Sequence, residues 1–175
     1  MQPGLIHLYC GDGKGKTTAA MGLAIRAAGH GKKVLILQFL KGRPTGELKS
    51  LAQIEGIQVL RGKEGMAFSF QMTPEERIQT KALHEEHLRL AMHKAQLGEC
   101  EVLILDEVMG AVGTGLLEES LVTGFLQAKP PQLEVVLTGR NPPPQWIELA
   151  DYVTEMKKIK HPYERGIPAR DGIEQ

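Results

Sequence analysis

Nine residues near the amino terminus, Cys10–Thr18 (CGDGKGKTT), give the strongest indication of the fold. A standard phosphate-binding loop, or P-loop, follows the pattern G-x-x-x-x-G-K-[ST]. Residues 15–17 supply its last three letters, but the first glycine is Gly11, and Cys10 occupies the position where that glycine is expected. The stretch lies between an apolar run and an alanine-rich segment, which is the strand–loop–helix context that such a loop requires.

The loop carries groups that suit a bound nucleotide. Alternating glycines let backbone N–H groups surround an anion, and the following helix adds the positive end of its dipole. Lys16 is placed to contact phosphate oxygens, while Thr17 or Thr18 can offer a hydroxyl group to Mg²⁺. A glycine-rich turn that only joins a strand to a helix is the alternative. The predicted nucleotide-binding residues of the loop are Gly11, Asp12, Gly13, Lys14, Gly15, Lys16, Thr17 and Thr18.

Continuous apolar runs alternate with helical segments along the chain, which is typical of parallel strands buried on both faces. We therefore expect an α/β fold, a P-loop NTPase (RecA-like) domain with a mostly parallel sheet and helices on both faces. Residues 1–175 are expected to form one domain, with an irregular tail at about 161–175. The predicted strands are 5–10, 34–40, 57–60, 101–108, 133–139 and one near 152–159; the predicted helices follow the loop, span 74–97 and 117–129 (interrupted by Gly124), and lie near 145–150.

The helix at 74–97 has a clear start, because Thr73, Pro74 and Glu76 match a capping box. Its segment HEEH lacks the H-E-x-x-H spacing of zinc sites, and His87 is expected to pack on the apolar side rather than bind a metal. The predicted apolar side consists of Leu83, Leu90, Ala91 and Leu97.

A second element of the candidate site is VLILDEV (102–108), where an apolar strand ends in Asp106 and Glu107. Acidic residues at such a strand end help to hold Mg²⁺ in P-loop proteins, so we predict a metal site formed by these two and Thr17. Lys41 and Arg140 follow two other strands, and each is either a phosphate-binding cation or an ordinary surface charge. Two solvated carboxylates are the alternative to the metal site.

Composition excludes several classes of protein. Lys plus Arg and Asp plus Glu both total 21, so the formal net charge is zero and neither nucleic-acid nor membrane binding is expected. Two cysteines cannot form a disulfide framework, and no secretory segment precedes the first strand. The expected location is cytoplasmic.

Nearly the whole chain resembles the P-loop-type ATP:corrinoid adenosyltransferases. The resemblance lies in the shifted loop GDGKGKTTAA, in residues 24–42, in LILDEV, and in residues 138–175 with their K-H-P-Y and G-I-x-A-R stretches. The family's own loop carries its first glycine where this one does. The resemblance implies that ATP binds in the reverse sense, so that its ribose 5′ carbon faces the corrinoid and adenosyl transfer replaces γ-phosphoryl transfer.

The resemblance also implies roles for particular residues. Co(I) of the reduced corrinoid attacks the 5′ carbon of ATP, triphosphate leaves, and Lys16, Lys14, the loop amides and Mg²⁺ stabilise the leaving charge. Phe68 and Phe70 match a Phe/Trp pair that lies against the lower face of the corrinoid, with the smaller phenylalanine in the tryptophan position. A pair of core phenylalanines is the alternative.

Implied partners are a reductase or flavoprotein that delivers the electron, and a second copy of the chain in a homodimer. The family's better-known members carry extra residues before the first strand, so the resemblance implies that a lid built by that extension is missing here.

Two other functions remain open. A kinase or ATPase of the same fold would use the same loop but move the γ-phosphoryl group. A nucleotide-sensing regulatory module would bind ATP without turnover.

Overall fold

The computed structural model of the protein describes residues 2–42, 45–62, 65 and 67–174. Met1 and Gln175, the two ends of the predicted domain, lie outside these residues. The strands are β1 (Ile6–Cys10), β2 (Val34–Gln38), β3 (Ile57–Arg61), β4 (Val102–Asp106), β5 (Glu134–Thr138) and β6 (Tyr152–Glu155). The helices are α1 (Lys16–Gly29), α2 (Gly46–Leu51), α3 (Pro74–Gln96), α4 (Val108–Gly113), α5 (Glu119–Ala128) and α6 (Pro144–Leu149), with 3₁₀ turns at Ser69–Gln71 and Pro162–Arg165.

All six strands form one sheet in the order β3-β2-β4-β5-β1-β6, and every neighbouring pair is parallel. The α/β fold with a parallel sheet is thus confirmed. Because all strands point the same way, the carboxyl ends of β1, β4 and β5 lie at one edge of the sheet, where open α/β sheets bind their ligands. The strand β5 separates β1, which leads into the loop, from β4, which ends in Asp106.

Two hydrophobic clusters cover the two faces of the sheet. Successive strand residues alternate between them: Leu35 and Leu37 belong to the first cluster, whereas Val34 and Ile36 belong to the second. Residues of α3 and α5 fill the first cluster, and residues of α1 fill the second. The predicted coverage of both faces by helices is therefore correct.

The amino-terminal cap of α3 is confirmed, but its predicted apolar side is only partly correct. The Glu76 backbone N–H donates to Thr73 Oγ1 at 3.2 Å, and the Thr73 backbone N–H donates to Glu76 Oε2 at 2.7 Å. Leu90 and Leu97 are 41% and 60% exposed. The buried face contains Ala91 of the predicted set, together with Thr80, His84, Leu88 and Ala95.

Several elements differ from the sequence prediction. The strand predicted at 101–108 ends at Asp106, because Glu107 takes a left-handed conformation with φ of 59° and α4 begins after it. The helix α5 continues through Gly124. The helices α2 and α4 have only six residues each and were not predicted. Among the described residues, no helix has both the length and the apolar character needed to cross a lipid bilayer.

Candidate active site

Gly11 and Gly13 of the loop are required by the backbone of a neighbouring segment. A Cβ atom on Gly11 would lie 2.5 Å from the carbonyl oxygen of Met156, and one on Gly13 would lie 2.6 Å from the same atom. The Gly13 N–H donates to that oxygen at 2.6 Å, and the Gly11 N–H donates to the carbonyl of Arg140 at 3.1 Å. These two amides therefore anchor the loop to the segments that follow β6 and β5.

This packing explains why the first glycine is displaced by one position. Cys10 is the last residue of β1, pairs with Glu155 of β6 and is buried, so a side chain is accommodated there. Gly11 has φ of 102°, in the region that favours glycine, and its missing side chain admits Met156. Cys10 and Cys100 are both buried, and neither forms a disulfide.

The second half of the loop leads directly into α1. Gly15, with φ of 116°, precedes the first helical residue, Lys16. The Lys16 ammonium group donates to the carbonyl oxygen of Gly13 at 2.8 Å, so the side chain folds back over its own loop. Lys14 and Thr18 are exposed beside it. The loop thus places two ammonium groups at the positive end of a 14-residue helix, a favourable site for phosphate.

Asp106 is the centre of a buried hydrogen-bond network. Its side chain is fully buried, and both of its carboxylate oxygens accept two side-chain donors each. Oδ1 accepts from the hydroxyl groups of Thr17 and Thr138, each at 2.8 Å. Oδ2 accepts from Gln38 Nε2 at 3.2 Å and from the Lys41 ammonium group at 2.8 Å. The carboxylate therefore links the first turn of α1 to three strands.

Glu107 stands beside this network in a different environment. Its left-handed backbone is fixed by a bond from its N–H to Thr138 Oγ1 at 2.9 Å. Burial raises the pKa of the Glu107 carboxyl, and the charge of Asp106 raises it further, whereas Lys41, Lys16 and Arg140 act in the opposite direction. A bound cation would favour its ionised form.

Lys41 and Arg140, the two cations predicted from strand ends, both reach this edge of the sheet. Lys41 forms its ion pair with buried Asp106 and also lies 3.7 Å from Glu47 of α2. Arg140 lines the cleft above the loop, and its backbone carbonyl holds Gly11. Lys41 is therefore a structural partner of the acidic centre, while the Arg140 side chain faces the space that a ligand would enter.

A cleft of about 320 Å³ opens between the loop and the carboxyl-terminal tail. No predicted site residue lies in this tail, although its K-H-P-Y and G-I-x-A-R stretches belong to the resemblance to the family. Its aromatic, proline and isoleucine residues face the loop, and no motif in the sequence pointed to that packing. The cleft is lined by Asp12–Thr18 and Arg140 on one side, and by His161–Tyr163, Ile167–Arg170, Ile173 and Glu174 on the other.

Phe68 and Phe70 lie apart from this cleft and at the protein surface. They are 49% and 80% exposed, and their rings stack with centroids 5.5 Å apart and an interplanar angle of 12°. A pair of core phenylalanines is therefore excluded. The two stacked rings form an exposed aromatic platform.

The two histidines of the HEEH segment have different surroundings. His84, rather than His87, is the buried histidine, and its Nδ1 lies 2.9 Å from the carbonyl oxygen of Leu116. Its ring packs edge-on against Phe39 with centroids 5.2 Å apart. Across the described ranges, no group of three or more His, Cys, Asp or Glu side chains is placed to hold a metal ion. His84 is accordingly a packing residue of the core.

Comparison with known proteins gives a consistent result over the whole chain. Residues 2–175 match the model of the family described as ATP:corrinoid adenosyltransferase BtuR/CobO/CobP. The chain is 36% identical to the corrinoid adenosyltransferase of Escherichia coli (strain K12), over 98% of this chain and 85% of that protein. It is 34% identical to the corrinoid adenosyltransferase of Pseudomonas aeruginosa, over 98% and 83% of the two chains. The corresponding protein of a Sinorhizobium species is 35% identical, over 99% and 81%.

The match extends from the residues before β1 to the tail that forms the outer wall of the cleft. It therefore includes the loop, the acidic end of β4 and the platform formed by Phe68 and Phe70. The chain belongs to the ATP:corrinoid adenosyltransferase family.

Proposed function

We propose that this protein transfers the 5′-deoxyadenosyl group of ATP to Co(I) of a reduced corrinoid and releases triphosphate, in adenosylcobalamin biosynthesis or salvage. The observation that carries the proposal is the family match over residues 2–175, together with a cleft built by the loop that the match includes. In this reaction a bond forms between cobalt and the 5′ carbon while the bond from that carbon to the triphosphate oxygen breaks. No protein side chain needs to act as the nucleophile.

The loop would bind the triphosphate and stabilise it as it leaves. Lys14 and Arg140 already face the cleft, and Lys16 reaches phosphate by exchanging its bond to the Gly13 carbonyl for a phosphate oxygen. Cations held beside the leaving group lower the barrier, because they stabilise the negative charge that develops on the triphosphate. Holding the 5′ carbon in line with cobalt contributes through proximity, which supplies roughly 7–11 kcal/mol in well-oriented reactions.

The residues near Asp106 fit a bound Mg²⁺, since this ion prefers hard oxygen ligands. Both Asp106 oxygens are occupied by hydrogen bonds, so we assign Asp106 the role of orienting Thr17. The Thr17 hydroxyl donates its proton to Asp106 and keeps its lone pairs, and the carboxylate of Glu107 lies nearby in a field of three cations. Thr17 and Glu107 would therefore hold the metal, which supplies charge neutralisation for the triphosphate.

Phe68 and Phe70 would lie against the lower face of the corrinoid. Their stacked, exposed rings support this role, because such a surface excludes water from the cobalt and packs on a planar macrocycle.

We also propose a reductase or flavoprotein as electron donor, a homodimeric assembly, a cytoplasmic location and a single domain over 1–175. The last of these is supported by the one sheet that contains all six described strands.

The products made from ATP test the proposal. An anaerobic reaction with Mg²⁺, ATP and chemically reduced corrinoid should yield a light-sensitive corrinoid with a shifted spectrum, and ion chromatography should detect triphosphate. The matched control is Lys16→Ala, which removes one of the two ammonium groups of the loop without touching the core and should abolish productive ATP binding. Formation of ADP in the absence of corrinoid, with no light-sensitive product, would instead identify a kinase or ATPase. Binding of ATP without turnover in any of these reactions would identify a regulatory module.

A further inference from the structure

The carboxyl-terminal tail places a charged pair against the phosphate side of the cleft. Arg170 and Glu174 both line the cleft, opposite Lys14 and Lys16 of the loop. The tail lies here because the residues after β6 pack on the loop: Gly13 binds Met156, and Asp12 Oδ1 accepts the N–H of Lys158 at 3.0 Å. The pair is therefore held near the place where a nucleotide's phosphates would bind.

Arg170 contacts Glu174 with the geometry that it would use for a phosphate group. Arg170 Nη2 donates to Glu174 Oε1 at 2.8 Å, and Arg170 Nε donates to Oε2 at 3.2 Å. The Arg170 backbone N–H also donates to Oε2 at 2.9 Å. Bidentate recognition of this kind is common to carboxylates and phosphates, so either anion satisfies the same side of the guanidinium group.

The neighbouring positive charges stabilise the ionised form of Glu174. Hydrogen bonds from Arg170 lower the pKa of Glu174 to about 2, and the charge of Lys14 acts in the same direction. Among the described residues that line the cleft, Asp12 is the other acidic side chain, and it already accepts a bond from the Lys158 backbone. The Glu174 carboxylate is thus the anion that a triphosphate would have to displace.

We propose that Arg170 is a triphosphate-binding residue, and that Glu174 is an internal competitor that holds its guanidinium group until the phosphates of the nucleotide replace the carboxylate. The proposal rests on the proposed function, because it assumes that the triphosphate binds in this cleft. Glu174 lowers the affinity for nucleotide, and the same carboxylate recovers Arg170 when triphosphate leaves.

An ordinary surface ion pair is the competing explanation. The Arg170 side chain is 57% exposed, and exposed pairs four residues apart stabilise proteins only slightly. A purely structural pair would leave ligand affinity unchanged when either partner is replaced, which makes the two explanations separable by measurement.

The test is isothermal titration calorimetry of inorganic tripolyphosphate and of ATP, each with Mg²⁺, on the full chain. Arg170→Gln should weaken tripolyphosphate binding about tenfold or more, because a charge-assisted bidentate bond is lost. Glu174→Gln should strengthen binding several-fold, and the double variant should behave like Arg170→Gln. Arg170→Lys keeps the charge but loses the two parallel donors of the guanidinium group, so its affinity should lie between those of the wild type and Arg170→Gln.

The matched control is Glu118→Gln, which makes the same change of charge in another exposed pair, with Lys81 at 3.4 Å, outside the residues that line the cleft. It should bind both ligands as the wild type does. Binding by Arg170→Gln and Glu174→Gln within twofold of the wild type would overturn the proposal while leaving the proposed function intact. Weaker binding by Glu174→Gln would also overturn it, because the carboxylate would then position Arg170 rather than compete. Failure of the wild type to bind either ligand would overturn both.

Discussion

The Thr17 hydroxyl group donates to Oδ1 of Asp106 at 2.8 Å and joins the first turn of α1 to the end of β4. The two residues are 89 positions apart in sequence, and the parallel sheet brings them together. Thr138 of the intervening β5 donates to the same oxygen, so the first turn of α1 and the ends of the neighbouring strands β5 and β4 meet at this carboxylate. A rigid link of this kind fixes the loop relative to the acidic strand before any ligand binds.

Two replacements of Thr17 should distinguish the contribution of its hydroxyl group from that of its side-chain volume. Thr17→Val keeps the volume but removes the hydroxyl oxygen that is proposed to bind the metal, so the Mg²⁺ concentration needed for half-maximal ATP binding should rise about tenfold or more. Thr17→Ser retains the hydroxyl and should stay close to the wild type. Calorimetric titration of ATP at several Mg²⁺ concentrations measures this. An unchanged metal requirement in Thr17→Val would remove Thr17 from the metal site.

The neighbouring acids Asp106 and Glu107 should respond differently to the loss of charge. Asp106→Asn breaks a pair in which Asp106 is buried and Lys41 is partly exposed, so the free energy of unfolding should fall by less than the about 3–5 kcal/mol that breaking a fully buried pair costs. Burial raises the pKa of Glu107, so its ionised form is unfavourable in the fold, and Glu107→Gln should be neutral or stabilising at pH 7. Glu107→Gln should, however, weaken the Mg²⁺ dependence more than it weakens corrinoid binding.

Denaturant titration and Mg²⁺ titration of the same two variants check these roles. A large loss of stability in Glu107→Gln, or a Mg²⁺ dependence unaltered by it, would contradict the assignment and shift the metal-binding role to Asp106 or to water.

The loop glycines can be tested against a glycine that has no close neighbour. A Cβ atom at position 13 would lie 2.6 Å from the Met156 carbonyl, so Gly13→Ala must displace that backbone and should lower both stability and ATP affinity. Gly22 lies within α1 with no atom within 4 Å of an added Cβ. Gly22→Ala should therefore stabilise the protein by about 0.5–1 kcal/mol. Thermal unfolding and ATP titration of both variants compare them. Equal, small effects would show that the loop tolerates movement of Met156.

Much of the fold could be predicted because its strands are continuous apolar runs and its first helix follows a recognisable loop. The predicted end of β4 was wrong because Glu107 takes a left-handed conformation and ends the strand, although Val108 continues the apolar run. The prediction of the buried face of α3 was incomplete for a different reason. Its buried side contains Thr80 and His84, and a hydrophobicity pattern cannot identify polar residues that are buried through tertiary contacts.

The candidate site was predicted in part for similar reasons. The acids and cations at strand ends could be placed because parallel strands deliver their carboxyl ends to one edge. The occupied oxygens of Asp106, which distinguish it from Glu107, depend on four donors from distant segments. The carboxyl-terminal tail, with Arg170 and Glu174, lines the cleft because the residues after β6 pack against Gly11 and Gly13. No local sequence pattern encodes that contact.

The buried histidine of α3 should make stability depend on pH. Burial lowers the pKa of His84 below its ordinary value of 6.5, and the charge of His87 acts in the same direction. As pH falls through about 6.5, the unfolded chain binds a proton that the folded chain does not. The free energy of unfolding should therefore decrease between pH 7.5 and 5.5, by at most about 1.4 kcal/mol per pH unit.

His84→Asn preserves a donor for the Leu116 carbonyl and should flatten this part of the pH profile. His93→Asn, an exposed position on the same helix, is the matched control and should retain the slope of the wild type. Urea titrations at four pH values in this range are sufficient. A profile of His84→Asn as steep as that of the wild type would assign the pH dependence to other groups.

The exposed aromatic platform should affect substrate choice without affecting the fold. Phe68 and Phe70 are 49% and 80% exposed, so the double replacement by alanine should change the melting temperature little. Turnover with complete cobalamin should fall further than turnover with a corrinoid that lacks the lower base. The reason is that the rings are proposed to exclude that base and the water behind it, and no such step is needed when the base is absent. Steady-state rates on the two corrinoids, with Ile78→Ala as a control for the loss of another exposed apolar side chain, measure the difference. Equal losses on both substrates would reduce the pair to a general contact surface.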